Sequence, residues 1–186
     1  MKKTGLILPV LTSALLLTGC IVETLEPWLS EESLQDDPGI VGCWQDAKGR
    51  ELTFTKTGDP ASYDILLSQN DEKQLYTATL HRIDEQEMLN VRAVDNTDAT
   101  ETVSYLLLKV VLEGDAMKLL LLDTTTFEER VAKTPLKDKY EGDPVEAFAM
   151  SGSTSEQDKF VRANLADPTF FDPEPLYDLT RKKPDQ

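Results

Sequence analysis

The feature that most constrains the fold is a series of short apolar segments, separated by turn signals, between residues 40 and 123. In the segment 51–56, Leu52 and Phe54 alternate with threonines, which is the period of a half-buried β-strand. Further segments follow at the spacing typical of antiparallel all-β domains. We therefore predict a mainly β fold, an antiparallel up-and-down meander of about seven strands.

The predicted strands are 40–44, 51–56, 63–67, 74–83, 88–94, 105–113 and 117–123. Gly114, between the last two, can take a positive φ without steric cost, which indicates a β-hairpin. The apolar residues of those two strands are nearly continuous, so neither strand has a side suited to solvent. We expect the C-terminal third of the chain to cover them.

Capping-box spacing predicts one or two short helices in that C-terminal third. A glutamate follows three residues after Thr125 and again three residues after Ser153. We expect helices over 127–133 and 157–166, with Pro168 ending the second. The remaining tail is expected to be irregular, with four apolar side chains that pin it to the sheet: Phe170, Phe171, Leu176 and Tyr177.

Residues 1–19 have the pattern of a secretory signal peptide. Lys2 and Lys3 precede an apolar run of thirteen residues, Gly5 to Leu17. The run is too short for a membrane-spanning helix, which needs about 20 residues. We therefore assign residues 1–19 to a cleaved segment.

The motif at the end of this segment, Leu17-Thr18-Gly19-Cys20, resembles the lipobox of bacterial lipoproteins. The resemblance implies cleavage before Cys20, and lipid chains such as palmitate on its sulfur and amine. Several chains are needed because each buried CH₂ contributes about 0.8 kcal/mol and a single myristoyl chain binds only marginally. The membrane, reached through lipid on Cys20, is thus the first expected partner.

The residue after the lipidated cysteine bears on the location of such a protein. Sorting rules of this family retain a lipoprotein in the inner membrane when Asp follows the cysteine, and here Ile21 follows it. In a Gram-negative source this implies the outer membrane, facing the periplasm, with exposure at the cell surface left open. Removal of residues 1–19 changes the net charge from −15 to −17, because it removes two lysines and no acid.

Composition suggests a tether between the anchor and the domain. Residues 20–39 contain six acidic residues, no lysine and no arginine. We interpret this stretch as a lipid anchor and a solvated acidic tether, followed by a single β-rich domain over 40–186. Trp28 is the exception: we expect its indole to fold back on the domain, and contact with the membrane interface is the alternative that its acidic neighbours disfavour.

The overall acidity excludes nucleic acid as an expected partner, because a chain with net charge −15 repels phosphates. Two cysteines and one histidine are too few for a zinc cluster or a disulfide framework. We therefore predict no metal and no cofactor.

Gly42-Cys43-Trp44, in the first predicted strand, resembles the Gly-x-Trp motif of lipocalin-like (calycin) proteins, which precedes an up-and-down meander. The resemblance covers roughly residues 40–123. It implies a barrel, although seven strands fit an open, curved sheet closed by a helix as well. The order of lipobox, acidic stretch, Gly-x-Trp and meander also resembles small uncharacterised envelope lipoproteins. A barrel of this kind implies an apolar pocket near Trp44, Tyr63 and Tyr76.

The sequence contains no catalytic constellation. Cys43 lies in an apolar strand and is expected to be a small buried hydrophobe, while His81 shares a strand face with threonines and is expected to face solvent. The acid pairs fall in turns or on an exposed helix, where we do not expect the buried carboxyl that a glycosidase needs. They are Asp71-Glu72, Glu85/Glu87 and Glu128-Glu129.

Three functions stay open at this point. The favoured one is a non-enzymatic domain that binds another envelope protein. The alternative is a carrier of a small apolar ligand, and a hydrolase is remote. Asp95, Asp98 and Glu101 form a polar loop that lacks the spacing and glycine of an EF-hand.

Overall fold

The computed structural model describes residues 21–93, 104–143 and 147–183, and these form one mainly β domain. Its strands, in chain order, are β1 (Val22–Thr24), β2 (Gly42–Asp46), β3 (Glu51–Lys56), β4 (Ser62–Gln69), β5 (Glu72–Ile83), β6 (Gln86–Ala93), β7 (Tyr105–Glu113), β8 (Ala116–Leu120), β9 (Tyr140–Asp143), β10 (Ala147–Met150) and β11 (Tyr177–Arg181). Two α-helices are α1 (Thr124–Val131) and α2 (Thr154–Asn164), and three short 3₁₀ helices are Glu31–Ser33, Pro38–Ile40 and Pro135–Lys139.

Strands β2 to β8 pair each with the next, all antiparallel, as the predicted meander requires. The eighth strand, β11, lies between β8 and β2 and closes the sheet into a barrel. Its central residue Leu179 pairs with Met117 on one side and with Asp46 on the other. The mainly β prediction is confirmed, and a closed barrel replaces the open alternative. The tail predicted to be irregular supplies the closing strand.

The interior of the barrel is a core of side chains that alternate along each strand. An eight-stranded barrel is just wide enough for its own side chains to fill. The inward-facing residues that are most fully buried are Ile40, Trp44, Phe54, Tyr63, Leu80, Leu89, Met117, Leu119 and Leu179.

A second core lies outside the barrel, against the outer faces of β5, β6 and β7. It is covered by helices α1 and α2 and by residues 21–40, which we call the strap. The strap contributes Val22, Trp28 and Leu29, the helices contribute Phe127, Val131, Phe160 and Val161, and the barrel contributes Ile83, Met88 and Leu107. The expected cover over the apolar strand β7 is therefore confirmed, and the expected anchors Phe170 and Phe171 are buried in it.

The expectation of a solvated tether over residues 20–39 is wrong from Val22 onward. Strand β1 pairs with both β7 and β10, and the side chain of Trp28 is 0 % exposed. The acidic residues Glu26, Glu31 and Glu32 do face solvent. A few apolar side chains thus fix this segment, because burial of one large side chain contributes roughly 1.5–3 kcal/mol whatever the charge of its neighbours. The expectation that Trp28 folds back is confirmed.

The helices begin close to their predicted starts. Ser153 and Glu156 form the predicted capping box, with the Ser153 backbone N–H donating to Glu156 Oε2 over 2.9 Å. At α1 the cap is Asp123 rather than Thr125, because the Asp123 carboxylate accepts from the Thr125 backbone N–H at 2.8 Å.

Candidate functional site

The predicted pocket residues Trp44, Tyr63 and Tyr76 all belong to the inner core of the barrel, at different levels. Trp44 is 0 % and Tyr63 is 1 % exposed, whereas Tyr76 is half-buried. Burial raises the pKa of both tyrosines. Two of the three, Trp44 and Tyr63, are hydrogen-bonded to backbone groups at one end of the barrel.

One end of the barrel, which we call the plugged end, is closed by the 3₁₀ helix Pro38–Ile40. Trp44 Nε1 donates to the carbonyl oxygen of Ile40 over 2.8 Å, and the hydroxyl of Tyr63 accepts from the backbone N–H of Asp37 at 3.1 Å. Ile40 is itself fully buried. Trp44 and Tyr63 therefore hold the plug in place.

Arg181, at the end of β11, completes the plug. Its guanidinium carbon lies 4.1 Å from the centroid of the Trp44 ring, its Nη1 donates to the Val41 carbonyl over 2.7 Å, and its Nη2 donates to the Gly39 carbonyl. Gly42 has a φ of +129°, and a Cβ there would lie 2.8 Å from Arg181 Nη1. The contact with Arg181 therefore explains why the Gly-x-Trp motif has a glycine at position 42.

The opposite end, which we call the far end, contains the β4–β5 turn. Its inward-facing apolar side chains are only partly buried: Leu67, Tyr76, Leu106, Leu121, Leu176 and Tyr177. A cavity of about 430 Å³ lies beside Leu67 and Gln74. The two ends of the barrel therefore differ in how completely their side chains are covered.

An ion pair between Arg50 and Asp46 borders the far end. Arg50 Nε lies 2.5 Å from Asp46 Oδ2, and the guanidinium lies 4.3 Å from the centroid of the Tyr177 ring. Although burial opposes ionisation, hydrogen bonds from Arg50 hold the pKa of Asp46 below its ordinary value. Arg50 also donates to the carbonyl of Leu176, so the pair attaches β2 and β3 to the segment before β11.

His81 was expected to face solvent, and this expectation is wrong. It points outward from β5 as the strand alternation required, but the strap covers it and leaves it 1 % exposed. Its Nδ1 lies 2.9 Å from Ser33 Oγ, and its Nε2 accepts from Asn90 Nδ2 at 3.1 Å. Because Asn90 donates to Nε2, the neutral ring carries its proton on Nδ1 and donates to Ser33.

Asn90 links the same network to the backbone of the strap. Its Oδ1 accepts from the Trp28 N–H at 3.1 Å, and its Nδ2 also donates to the Leu29 carbonyl over 3.4 Å. Burial lowers the pKa of His81 to about 4, and the charge of Asp158 on α2 opposes that shift only in part. His81 is therefore a neutral structural residue that locates the strap.

A polar groove runs along the outer wall of the barrel beside the strap. It has a volume of about 430 Å³ and crosses β4, β5, β6 and the start of β7. Its lining includes the outward side chains of Asp64, Thr77, Arg92 and Tyr105, with Pro27 of the strap at one side. Its lining combines charged and hydroxyl side chains with the apolar surface of Pro27, Ala78 and Tyr105, and sequence reasoning did not identify it.

Cys43 is a free thiol on the outward face of β2 and is half-buried, so the expectation of a fully buried cysteine is wrong. The row of paired residues that starts at Cys43 reaches β5 at Leu75, six residues from His81, which is about 20 Å along that strand. A Cys43–His81 dyad is therefore not formed.

The acidic pairs lie on the surface, with Asp71, Glu72, Glu85, Glu128 and Glu129 exposed and Glu87 half-buried. Glu87 pairs with Arg82. Within the described ranges, no group of three or more His, Cys, Asp or Glu side chains is arranged to hold a metal ion. The polar loop with Asp95, Asp98 and Glu101 lies outside the described residues.

The fold and these sites define a closed, eight-stranded antiparallel barrel with an outer layer. No family model matches the chain, and no curated protein or solved structure matches it either. Among the residues that the structure describes, no helix is both long and apolar enough to cross a membrane.

Proposed function

We propose that this protein is a lipid-anchored envelope lipoprotein whose barrel is a non-enzymatic binding domain. The observation that carries the proposal is the lipobox-like motif Leu17-Thr18-Gly19-Cys20, which stands directly before the first strand of the fold. The Ile21 that follows Cys20 supports the outer membrane in a Gram-negative source.

The structure changes how such an anchor would hold the domain. Strand β1 begins at Val22, so only Ile21 separates Cys20 from the folded sheet. Two extended residues span at most about 7 Å. Lipid on Cys20 would therefore hold the barrel directly against the headgroups, with no tether between them.

The surface of the barrel is the better candidate for binding than its interior. Around Trp44 and Tyr63 the interior is filled by side chains that are almost wholly buried. The sole histidine is neutral, buried and distant from the free thiol Cys43, which supports a binding role rather than catalysis. An envelope protein with a basic surface would be steered toward this acidic chain.

The anchor is tested by metabolic labelling with an alkyne analogue of palmitate in a host that processes lipoproteins, followed by mass spectrometry of the peptide that begins at residue 20. We expect label on the intact chain and on Cys43→Ser, and none on Cys20→Ser. An unmodified thiol at residue 20 of the processed chain would refute the proposal.

A second candidate function is carriage of a small apolar ligand at the far end. It is favoured by the six partly buried apolar side chains there, of which Leu67 borders a cavity of about 430 Å³ whose other lining residues are Gln69, Glu72, Lys73 and Gln74. Titration with 1-anilinonaphthalene-8-sulfonate tests it. A saturable rise in fluorescence that weakens in Tyr76→Ala and persists in Tyr63→Phe would support the carrier, and no saturable binding would exclude it.

A further inference from the structure

The polar groove on the outer wall contains side chains whose hydrogen-bonding groups are not used by the fold. Asp64, Thr77, Arg92 and Tyr105 form one cross-strand row, with Asp64 opposite Thr77, Thr77 opposite Arg92, and Arg92 opposite Tyr105. Among the described residues, neither the Asp64 carboxylate, the Thr77 hydroxyl nor the Arg92 guanidinium has a hydrogen-bond or ion-pair partner.

The spacing of this row matches a ligand several ångströms long. Adjacent strands lie about 4.8 Å apart, so the backbones of Asp64 and Arg92 are separated by about 10 Å, with Thr77 between them. The two opposite charges do not pair with each other, since no nitrogen of Arg92 lies within 4.0 Å of an Asp64 oxygen in the described structure. Donors and acceptors are therefore presented side by side along the groove.

One side of the groove is fixed by buried contacts. Trp28 donates from its backbone N–H to Asn90 Oδ1 and from Nε1 to the carbonyl of Tyr105 over 3.2 Å, and Pro27 precedes it. Since Trp28 is fully buried, the strap side of the groove and the Tyr105 backbone are held in one arrangement. A preformed wall lowers the ordering cost of binding.

The chemistry of the lining selects the class of ligand. A wholly apolar molecule would take the Asp64, Thr77 and Arg92 side chains out of water without giving them partners, whereas the apolar surface of Pro27 and Tyr105 suits a ligand with both polar and apolar faces. Carboxylates at Asp59 and Asp64 disfavour a simple anion despite Arg92. Sugar hydroxyls both donate and accept, so each can bind a carboxylate, a guanidinium or a threonine, and the C–H face of a sugar ring packs on an aromatic ring such as that of Tyr105.

We propose that this groove binds a carbohydrate chain of two to four sugar units, with Asp64, Thr77 and Arg92 bonded to sugar hydroxyls and Tyr105 against a ring face. This deepens the binding role proposed above and rests on it, but it does not depend on lipidation of Cys20. It places the recognition surface on the outer wall of the barrel rather than in its interior.

The test is calorimetric titration of the full chain in detergent with chitotetraose, cellotetraose and maltotetraose, and, in separate arms, with tetraglycine and inorganic phosphate. We expect at least one of the three sugars to bind with a Kd near or below about 1 mM, as a small polar site allows. Arg92→Ala should weaken that binding about ten-fold, because a charge-assisted hydrogen bond is lost. Thr77→Val should weaken it by less.

Thr53→Val is the matched control, since Thr53 faces outward on β3 and lies outside the groove. Its binding should equal that of the unchanged chain, and thermal unfolding should show that all three variants are folded. If one variant fails to fold, chemical-shift changes on addition of sugar, confined to the groove residues of the unchanged chain, provide the same test.

The proposal is overturned if none of the three sugars binds, if tetraglycine or phosphate binds in their place, or if Arg92→Ala and Thr77→Val bind sugar as Thr53→Val does. Mass analysis of Cys20 in the same preparation separates the two proposals. A lipidated chain that binds no sugar refutes only the groove, and an unlipidated chain that binds sugar refutes only the anchor.

Discussion

The barrel wall has two sectors whose inward faces are alike and whose outward faces differ. Strands β2, β3 and β4 face solvent on the outside, where Thr53 and Thr55 alternate with the inward Leu52 and Phe54. The strap and the helices cover the outer faces of β5, β6 and β7 around Ile83, Met88 and Leu107, and the groove lies open beside the strap. The comparison teaches that the pattern of apolar residues along a strand indicates whether one or both of its faces are covered.

The covered sector also buries polar groups, and these give the strap its position. Apolar contact is not directional, whereas the hydrogen bonds of His81 and Asn90 to Ser33, Trp28 and Leu29 permit one placement of the strap. Strands β2, β3 and β4, which we call the bare sector, have no such buried hydrogen bonds among the described residues of their outer face. We therefore expect outward substitutions to have opposite consequences in the two sectors.

The largest expected effect is that of Trp28→Ala in the strap. Removing a fully buried indole leaves a cavity in the outer core and should lower the free energy of unfolding by about 3–5 kcal/mol. Urea unfolding followed by circular dichroism measures this. A loss below about 1 kcal/mol would show that the strap adds little to the covered sector and would contradict the comparison.

The second-largest expected effect is a loss of stability in the covered sector at acidic pH. His81 is neutral in the folded state with a pKa of about 4, and in the unfolded state its pKa returns to the ordinary 6.5. The unfolded state therefore binds a proton first, so stability falls as the pH drops from 6.5 toward 4, by about 3 kcal/mol in all.

The measurement for His81 is the free energy of unfolding at several pH values between 7 and 4. In His81→Gln this part of the pH dependence should vanish, although the variant is less stable throughout. The facing charges on α2, Asp158 and Arg162, remain in both chains, so the difference between the two pH profiles isolates His81. Identical slopes would exclude the histidine as the source.

A smaller loss is expected at Gly42, the first residue of β2. In Gly42→Ala the new methyl would meet Arg181 Nη1 at 2.8 Å with φ at +129°, so we expect a loss of about 2 kcal/mol. Gly49→Ala is the control, because φ is +81° there and nothing lies within 4 Å of the added Cβ. Equal losses in thermal unfolding would mean that backbone strain alone, without the Arg181 contact, explains the glycine.

The smallest expected effect is that of Thr53→Ala, on the outward face of the bare sector. The free energy of unfolding should change by no more than about 0.5 kcal/mol, since the side chain covers no core. Met88→Ala, outward on β6 in the covered sector, is its partner and should cost about 2–5 kcal/mol. Similar values for the two variants would remove the distinction between the sectors.

Sequence reasoning identified strands β2 to β8 because each carries its own apolar period. It missed β11, since Tyr177 and Leu179 give only a short alternation within a proline-rich tail, and the partners of that strand are distant in sequence. It predicted that His81 faces outward but not that the strap covers it. Alternation assigns a side chain to a face of a strand, whereas coverage depends on contacts such as that between Ser33 and His81, 48 residues apart.

The candidate site, too, could be predicted only where its residues form a local sequence pattern. The Gly-x-Trp motif was visible at Gly42 and Trp44, but Arg181, which explains its glycine, carries no local signal. The groove was invisible because its row of Asp64, Thr77, Arg92 and Tyr105 is assembled from four strands. Single residues in separate strands form no motif until the register between the strands is known.

Closure by β11 has a consequence for folding. The hydrogen bond from Arg181 to the Val41 carbonyl joins residues 140 positions apart, so the first barrel strand stays unpaired on one edge until β11 has docked. A product shortened before Tyr177 would lack the strand that separates β8 from β2. It would expose two long strand edges that invite pairing with other chains. Strand β11 is thus the element that leaves β2 and β8 without an open edge.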